Sequence, residues 1–272
     1  MRYTRHIPAV ALRDSVDHLW CIADGPRHSA ERILPTGTTE LVVNLGADTI
    51  AITNNQGCQR FSGTVLAGPY TTPFDIDARR HTAMVGVHFK PGGARTVLGF
   101  SPPDLLDSHV DLHALWNGAA DTIRAELCEA GSDAERFAIL ESALLTLRAN
   151  RTTLTPEVAF TVDALGYGTP HPPIAALARE VGFSHRRLVQ LFTQQVGVPP
   201  KRFARVRRFR HAHHHVMSAQ SLPHWPGFAL AHGYADQSHM IREFRRFSGL
   251  TPVQHFRGRN LMSKDDHLAL RQ

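Results

Sequence analysis

The chain is poor in cysteine, and this scarcity excludes several classes of protein. Cys21, Cys58 and Cys128 are its three cysteines, and none of them lies in a CxxC pair. Widely spaced thiols are typical of a reducing compartment and provide neither a disulfide framework nor a thiolate zinc site. The sequence also lacks an apolar run of the ~18–20 residues that a membrane span requires, and its N-terminus has no signal-peptide core. We therefore expect a cytoplasmic protein that makes no membrane contact.

Catalytic motifs are absent as well. The sequence contains no GxSxG, no Gly-rich phosphate loop and no HExxH. A metal-dependent cupin requires an HxH pair, a nearby Glu and a distant His, so that imidazoles and a carboxylate converge on one ion. His81, His88, Glu31 and Glu40 are present, but the strand region has no HxH pair. We predict that the protein is not an enzyme and binds no metal or cofactor.

Positive charge is concentrated in one part of the chain. Residues 171–259 contain 14 Lys/Arg and 3 Asp/Glu, whereas residues 1–170 contain 14 and 19. A balance of this kind is typical of a surface that binds phosphates. With 272 residues, the chain is long enough for two domains with separate cores.

Residues 1–150 are predicted to form a β-rich domain, a small barrel or sandwich, that ends in helices. Four segments are rich in β-branched residues and bounded by turns: Glu40–Gly46, Asp48–Thr53, Thr64–Gly68 and Met84–Phe89. Short helices are expected at Ala94–Leu98 and from Ser101-Pro102. Asp133–Arg148 then carries an amphipathic stripe, which consists of Phe137, Leu140, Leu144 and Leu147. This stripe can pack on its own domain, and a homodimer interface is the alternative.

Turn-rich segments mark the end of this domain. Asn150–Thr155 and Gly166–Pro173 flank Pro156–Leu165, which is predicted to be the first helix of a second domain. We predict an α+β protein with domains at residues 1–150 and 151–260 and a tail at residues 261–272.

The second domain contains a helix-turn-helix pattern. Ile174–Val181 reads as a short helix, Gly182 follows as a turn, and Ser184 can cap the next helix. Leu188, Leu191 and Phe192 repeat at helical spacing and form the buried face. The opposite face then carries His185, Arg186, Val189 and Gln190.

The same pattern recurs about fifty residues later. Gly182-Phe183 returns as Gly233-Tyr234, and Phe192, Gly197 and Pro200 return 52 residues on as Phe244, Gly249 and Pro252. The second copy is expected to bury Met240, Phe244 and Phe247 and to expose Gln237, Ser238, Ile241, Arg242 and Arg245. Such a duplication indicates a domain that is built from two helix-turn-helix units.

GFSHRRLVQLFTQQVGVPPKRFARVRRFRHA and GYADQSHMIREFRRFSGLTP resemble the paired DNA-binding units of AraC/XylS-type transcription regulators over Pro173–Arg259. The resemblance implies an all-α double helix-turn-helix domain whose two recognition helices enter major grooves on one face of the DNA. The residues expected to read bases are His185, Arg186, Val189, Gln190, Gln237, Ser238, Ile241 and Arg242. Those expected to bind phosphate are Arg187, Lys201, Arg202, Arg205 and Arg245, and Arg208 is expected to touch at most phosphate.

The N-terminal segments ERILPTGTTELVVNLG and AGPYTTPFDI resemble the sensor domain of one AraC-type subgroup, which is thought to be cupin-like and whose ligand is generally unknown. Three positions depart from the family pattern. HWPG (224–227) replaces the acidic start of a helix and indicates a short or mobile one, Gln190 stands where Arg is common, and His255 stands near a usual Tyr.

A cluster of histidines, which consists of His211, His213, His214 and His215, could bind a metal or form a solvated helix face. The lack of a nearby acidic or thiolate partner favours the solvated face. The sequence therefore predicts a DNA-binding transcription regulator that responds to an unknown small-molecule effector. Double-stranded DNA is the expected partner, with RNA polymerase and a second copy of the chain as further candidates. The alternatives are a DNA-modifying or repair enzyme and a metal-cupin enzyme that carry the same DNA-binding module.

Overall fold

The computed structural model describes residues 2–25, 30–55, 57–116, 118–147, 153–166, 170–258, 262–264 and 267–270. The strands of the N-terminal domain are β1 (Arg2–His6), β2 (Val16–Ala23), β3 (Ala30–Ile33), β4 (Glu40–Asn44), β5 (Thr49–Asn54), β6 (Gly57–Ser62), β7 (Thr64–Ala67), β8 (Phe74–Ile76), β9 (Met84–Phe89) and β10 (His109–Asp111). Two further strands, β11 (Met262–Lys264) and β12 (His267–Leu270), follow the last helix.

These strands form two antiparallel sheets. The first has the order β1-β2-β9-β4-β7-β10 and the second the order β11-β12-β3-β8-β5-β6. Alternation along the strands gives the first sheet two covered faces, because Val42 and Val65 meet the second sheet while Leu41 and Val43 meet helices. The expected β-rich, two-domain α+β architecture is confirmed.

The helices are α1 (Gly93–Leu98), α2 (Leu112–Trp116), α3 (Gly118–Glu129), α4 (Asp133–Leu147), α5 (Pro156–Gly166), α6 (Ile174–Glu180), α7 (His185–Val196), α8 (Pro200–Ser218), α9 (Trp225–Ala231), α10 (Gln237–Ser248) and α11 (Pro252–Gly258). The expected helix from Ser101-Pro102 is a short 3-10 turn at Pro102–Leu105. The predicted stripe of α4 packs inward, since Phe137, Leu140 and Leu144 are buried in the core below the first sheet.

The helical domain has two cores that share one helix. Leu188, Phe192 and Val196 of α7 form the first core, to which α8 contributes Phe203. The second core contains Met240, Phe244 and Phe247 of α10, together with Val206, Phe209 and Val216 of α8. Helix α8 therefore joins the two helix-turn-helix units through apolar packing.

The two domains also contact each other closely. Leu34, which follows β3, is buried in the core of the second unit. Near the C-terminus, β12 pairs antiparallel with β3 and places His267 Nδ1 2.7 Å from Glu31 Oε2. The predicted boundary between residues 150 and 151 lies outside the described residues, whereas the predicted tail contains the strand that extends the second sheet.

Candidate nucleic-acid interface

Helix α7 is fixed at both ends and along its apolar side. The Ser184 hydroxyl accepts a hydrogen bond from the Arg187 backbone N–H at 3.2 Å, and Gly197 ends the helix in a left-handed conformation with φ of 90°. Leu188 and Phe192 are fully buried. Three of the predicted base-reading side chains, His185, Arg186 and Gln190, are exposed on the other side, and Val189 is half-buried.

Helix α10 repeats this construction with different residues. The Asp236 carboxylate accepts from the His239 backbone N–H at 2.6 Å, and Gly249 ends the helix with φ of 80°. Because Met240, Phe244 and Phe247 face the core, the polar side of the helix points outward. Of the four residues predicted to read bases here, Ser238 and Arg242 are exposed, whereas Gln237 and Ile241 are half-buried.

The residues expected to bind phosphate fall into two groups. Arg187, Lys201 and Arg245 are exposed. Arg202 forms an ion pair with Asp107 of the N-terminal domain, and Arg205 donates to Glu243 Oε1 at 2.6 Å. The second group is therefore already engaged within the protein.

Glu243 is a buried acid that the sequence analysis did not single out. Its side chain is 4% exposed and accepts hydrogen bonds from Arg205 and, at 2.8 Å, from Arg208. Arg208 also donates to the Gly233 carbonyl at 3.1 Å, and its guanidinium lies 4.8 Å from the ring centre of Tyr234. The expectation that Arg208 touches at most phosphate misses this role, because the side chain connects α8, the turn and α10. A lone Glu within an arginine-rich helical repeat is the signal that could have revealed it.

The departures from the family pattern are accommodated locally. Helix α9 spans seven residues, as α6 does in the first unit, so Pro226 and Gly227 do not shorten it relative to its counterpart. His255 is 1% exposed, its Nε2 lies 2.7 Å from Ser248 Oγ, and burial lowers its pKa to about 4.

The candidate metal ligands of the N-terminal domain fall into two pairs, since His88 Nδ1 lies 3.8 Å from Glu40 Oε1 and Glu31 acts on His81. Glu40 accepts from Trp20 Nε1 at 2.6 Å, and His88 Nε2 lies 2.9 Å from the Thr38 hydroxyl. Glu31 contacts His267 instead, and burial lowers the pKa of His81 to about 4. The four residues thus do not converge on one point.

A cleft of about 700 Å³ lies between the two domains. Its N-terminal wall includes Arg5, Thr38 and Lys90, and its C-terminal wall includes residues of α5 and α8. The charged side chains that line it are Arg5, Asp14, Asp17, Lys90, Asp163, Arg207 and Arg210. In the described part of the chain, no helix is long and apolar enough to cross a membrane.

Comparison with known proteins divides the chain as the fold does. Residues 177–258 match the family model described as a helix-turn-helix domain, and residues 4–111 match a domain of unknown function. No curated protein matches the chain significantly.

Solved structures include several regulators to which parts of this chain are similar. A transcriptional regulator with an AraC-type DNA-binding domain from Chromobacterium violaceum is 22% identical, with a TM-score of 0.35; the match covers 38% of this chain and 92% of that one. The C-terminal domain of AraT from Geobacillus stearothermophilus is 20% identical over 39% of this chain and 88% of that one, with a TM-score of 0.36. ToxT from Vibrio cholerae, solved with an unsaturated fatty acid bound, is 11% identical over 94% of this chain and 97% of that one, with a TM-score of 0.47.

The duplicated helix-turn-helix fold and the helix-turn-helix family match define a class: this is a DNA-binding transcription regulator. Its DNA-binding domain is of the AraC type and follows an N-terminal β-rich domain of a family without known function. The resemblance drawn from the sequence is confirmed.

Proposed function

We propose that α7 and α10 insert into two successive major grooves on one face of DNA and read bases there. The observation that carries this proposal is the shared construction of the two helices. Each is capped by a side chain, buried through one apolar face and polar on the other. His185, Arg186, Val189 and Gln190 would act in one groove, and Gln237, Ser238, Ile241 and Arg242 in the other. Arginine suits guanine and glutamine suits adenine, because each can form two hydrogen bonds to one base edge.

Phosphate anchoring is proposed for the exposed cations that flank these helices, Arg187, Lys201 and Arg245. Their side chains are accessible to a polyanion without the loss of an internal ion pair. Arg202 and Arg205 were expected to share this task, but each would first have to leave its carboxylate partner. We therefore assign them the weaker part of the phosphate contact.

A two-arm substitution experiment tests the reading helix. The preferred site is first selected from random DNA fragments with the full chain. Arg242→Ala should then reduce the difference in binding free energy between this site and random DNA by about 1–3 kcal/mol, because a base contact is lost. Lys201→Ala is the matched control. It should lower the affinity for both DNAs alike and reduce the slope of log affinity against log salt concentration by about one. If both variants lowered the two affinities in equal proportion, Arg242 would be an anchor and α10 would not read bases.

We further propose that a small-molecule effector binds in the cleft between the domains. Four arginine and lysine side chains, Arg5, Lys90, Arg207 and Arg210, line this space from both domains, so one ligand could contact the N-terminal domain and the helix that carries both units. The cleft also holds Asp14, Asp17 and Asp163. This mixture favours a polar ligand with an anionic group and a hydrogen-bonding remainder.

A thermal-shift screen of small metabolites tests the effector proposal, since a ligand that binds only the folded state raises the melting temperature. Lys90→Gln should weaken a genuine cleft ligand, whereas Arg80→Gln, an exposed cation outside the cleft, should not. A hit that both variants bind equally well would place the effector elsewhere. Catalytic turnover of such a hit would favour the enzymatic alternatives.

We also propose the cellular location, the lack of catalysis and the partners that the sequence predicts. The protein would act in the cytoplasm, without catalysis of its own. RNA polymerase and a second copy of the chain are candidate partners, although the α4 stripe already packs within its own domain. Light scattering of the free and DNA-bound chain measures the second of these directly.

A further inference from the structure

Three histidines of the second helix-turn-helix unit lie together at the junction of α8 and α9. His211 and His215 are one helical turn apart on α8, and His232 directly follows α9. The ring centres of His211 and His215 lie 5.3 and 5.1 Å from that of His232. The other two histidines of this stretch do not take part in these contacts, because His213 packs against Phe209 and His255, and His214 points to solvent.

Two of the three imidazoles already have the separation of ligands on one ion. His215 Nδ1 lies 3.1 Å from His232 Nε2. Zinc–nitrogen bonds of about 2.0–2.1 Å in a tetrahedron place two ligand nitrogens about 3.4 Å apart. A small increase in the distance between these two nitrogens would therefore convert the hydrogen-bonded pair into a pair of metal ligands.

The protonation pattern of His232 also suits a ligand. Its Nδ1 lies 2.8 Å from the Phe228 carbonyl and donates a hydrogen bond to it, so the lone pair of the neutral ring lies on Nε2 and faces His215. A backbone carbonyl that orients the far nitrogen in this way is the usual support of a metal-binding histidine. Burial lowers the pKa of His232 and favours the neutral ring. The ring is held further by stacking on Phe228, with 4.0 Å between ring centres.

We propose that His211, His215 and His232 form a binding site for a divalent transition-metal ion that prefers imidazole, with Zn²⁺ as its representative. Among the described residues, no three His, Cys, Asp or Glu side chains already converge on one point. The site therefore consists of two placed imidazoles, and the exposed His211 joins them by a side-chain rotation. On binding, His215 moves its ring proton from Nδ1 to Nε2, and water completes the tetrahedron.

The bound ion would join α9 to α8. Helix α9 is the scaffold of the second reading helix and carries Pro226 and Gly227 in its first turn, so its own propensity is low. Coordination across the junction would stabilise the second unit. The surroundings are cationic, since Arg208 donates to the neighbouring Gly233 carbonyl, and this charge opposes the ion and limits its affinity.

A cobalt titration of the full, tag-free and chelator-treated chain tests the site. We expect one Co²⁺ per chain with the visible absorption of a tetrahedral complex, displaced by Zn²⁺, and a rise in melting temperature with Zn²⁺. The double variant His211→Asn/His215→Asn changes two exposed residues and should lose at least about tenfold in affinity.

His214→Asn is the matched control, because it removes an exposed histidine of the same helix that lies outside the cluster. It should bind and be stabilised as the unsubstituted chain is. Circular dichroism of the metal-free proteins should show equal helix content for the double variant and the control. The proposal is overturned if no stoichiometric complex forms, or if the double variant binds cobalt as tightly as His214→Asn.

Discussion

Replacement of Arg208 by Ala should destabilise the second helix-turn-helix unit without removing any group that faces DNA. The side chain is 17% exposed and contacts three parts of the unit: Glu243 of α10, the Gly233 carbonyl in the turn and the ring of Tyr234. These contacts connect α8 to α10, the helix that is proposed to read bases. Their loss should therefore be visible first as local opening of α9 and α10.

The size of the effect follows from the contacts. A hydrogen bond to a charged group contributes about 1.5–3 kcal/mol, and a partly desolvated cation–π contact about 0.5–2 kcal/mol. Loss of the sole partner of a buried charge would cost about 3–5 kcal/mol, but Glu243 keeps its 2.6 Å contact with Arg205. Since such terms do not add fully, we expect a loss of about 2–4 kcal/mol.

Hydrogen exchange followed by mass spectrometry of the full chain measures this loss segment by segment. The amides of α10 should exchange faster by the factor that corresponds to 2–4 kcal/mol, roughly 30- to 900-fold. Arg257→Ala, an exposed arginine on α11, is the control and should leave exchange unchanged. Protection of α10 within about threefold of the unsubstituted chain would show that the Glu243 cluster contributes little to stability.

Three further outcomes are expected. His81 and His255 have pKa values of about 4 in the folded chain and about 6.5 when unfolded, so the unfolded chain binds more protons between these limits. Stability against urea should be complete above about pH 6.5 and fall towards pH 4, by up to about 1.4 kcal/mol per pH unit for each histidine; His255→Phe should reduce this slope. His267→Ala should lower the free energy of unfolding by about 1–3 kcal/mol, because the buried Glu31 carboxyl loses this partner. The loss should appear as a lower melting temperature, and His267→Gln should restore part of it. Arg32 donates to the Ser248 carbonyl at the end of α10. Arg32→Gln should therefore weaken the effect of a cleft ligand on DNA affinity, although the variant still binds the ligand and still binds DNA. An unchanged effect would exclude Arg32 as the connection between the cleft and α10.

Local sequence signals predicted the helical domain well because each of its elements is specified by nearby residues. Ser184 caps α7 and Gly197 ends it, and the spacing of Leu188 and Phe192 fixes its buried face. These features act within about a dozen residues and can be recognised in the amino-acid sequence alone. The inward stripe of α4 was found for the same reason.

Contacts between distant segments were not predictable in this way. The sequence marks Glu243 as a lone acid in an arginine-rich segment, but it does not indicate which arginines, here two some 35 residues earlier, will contact it. Arg205 and Arg208 were therefore grouped with the phosphate-binding cations. The return of β12 to β3 joins segments more than 230 residues apart. Whether a cation faces solvent or an internal carboxylate depends on such packing, and composition reports only its charge.

The N-terminal domain contacts the C-terminal ends of α7 and α10, the two helices that are proposed to read bases. At the end of α7, a side-chain carbon on Gly197 would come within 2.8 Å of Pro69 and Pro102. At the end of α10, Arg32 donates to the Ser248 carbonyl at 3.3 Å and lies against Gly249. A shift of the N-terminal domain relative to either helix would therefore strain or break these contacts. If α7 and α10 enter successive major grooves as proposed, their spacing has to match one turn of DNA. The contacts at the ends of both helices would then let the N-terminal domain influence that spacing.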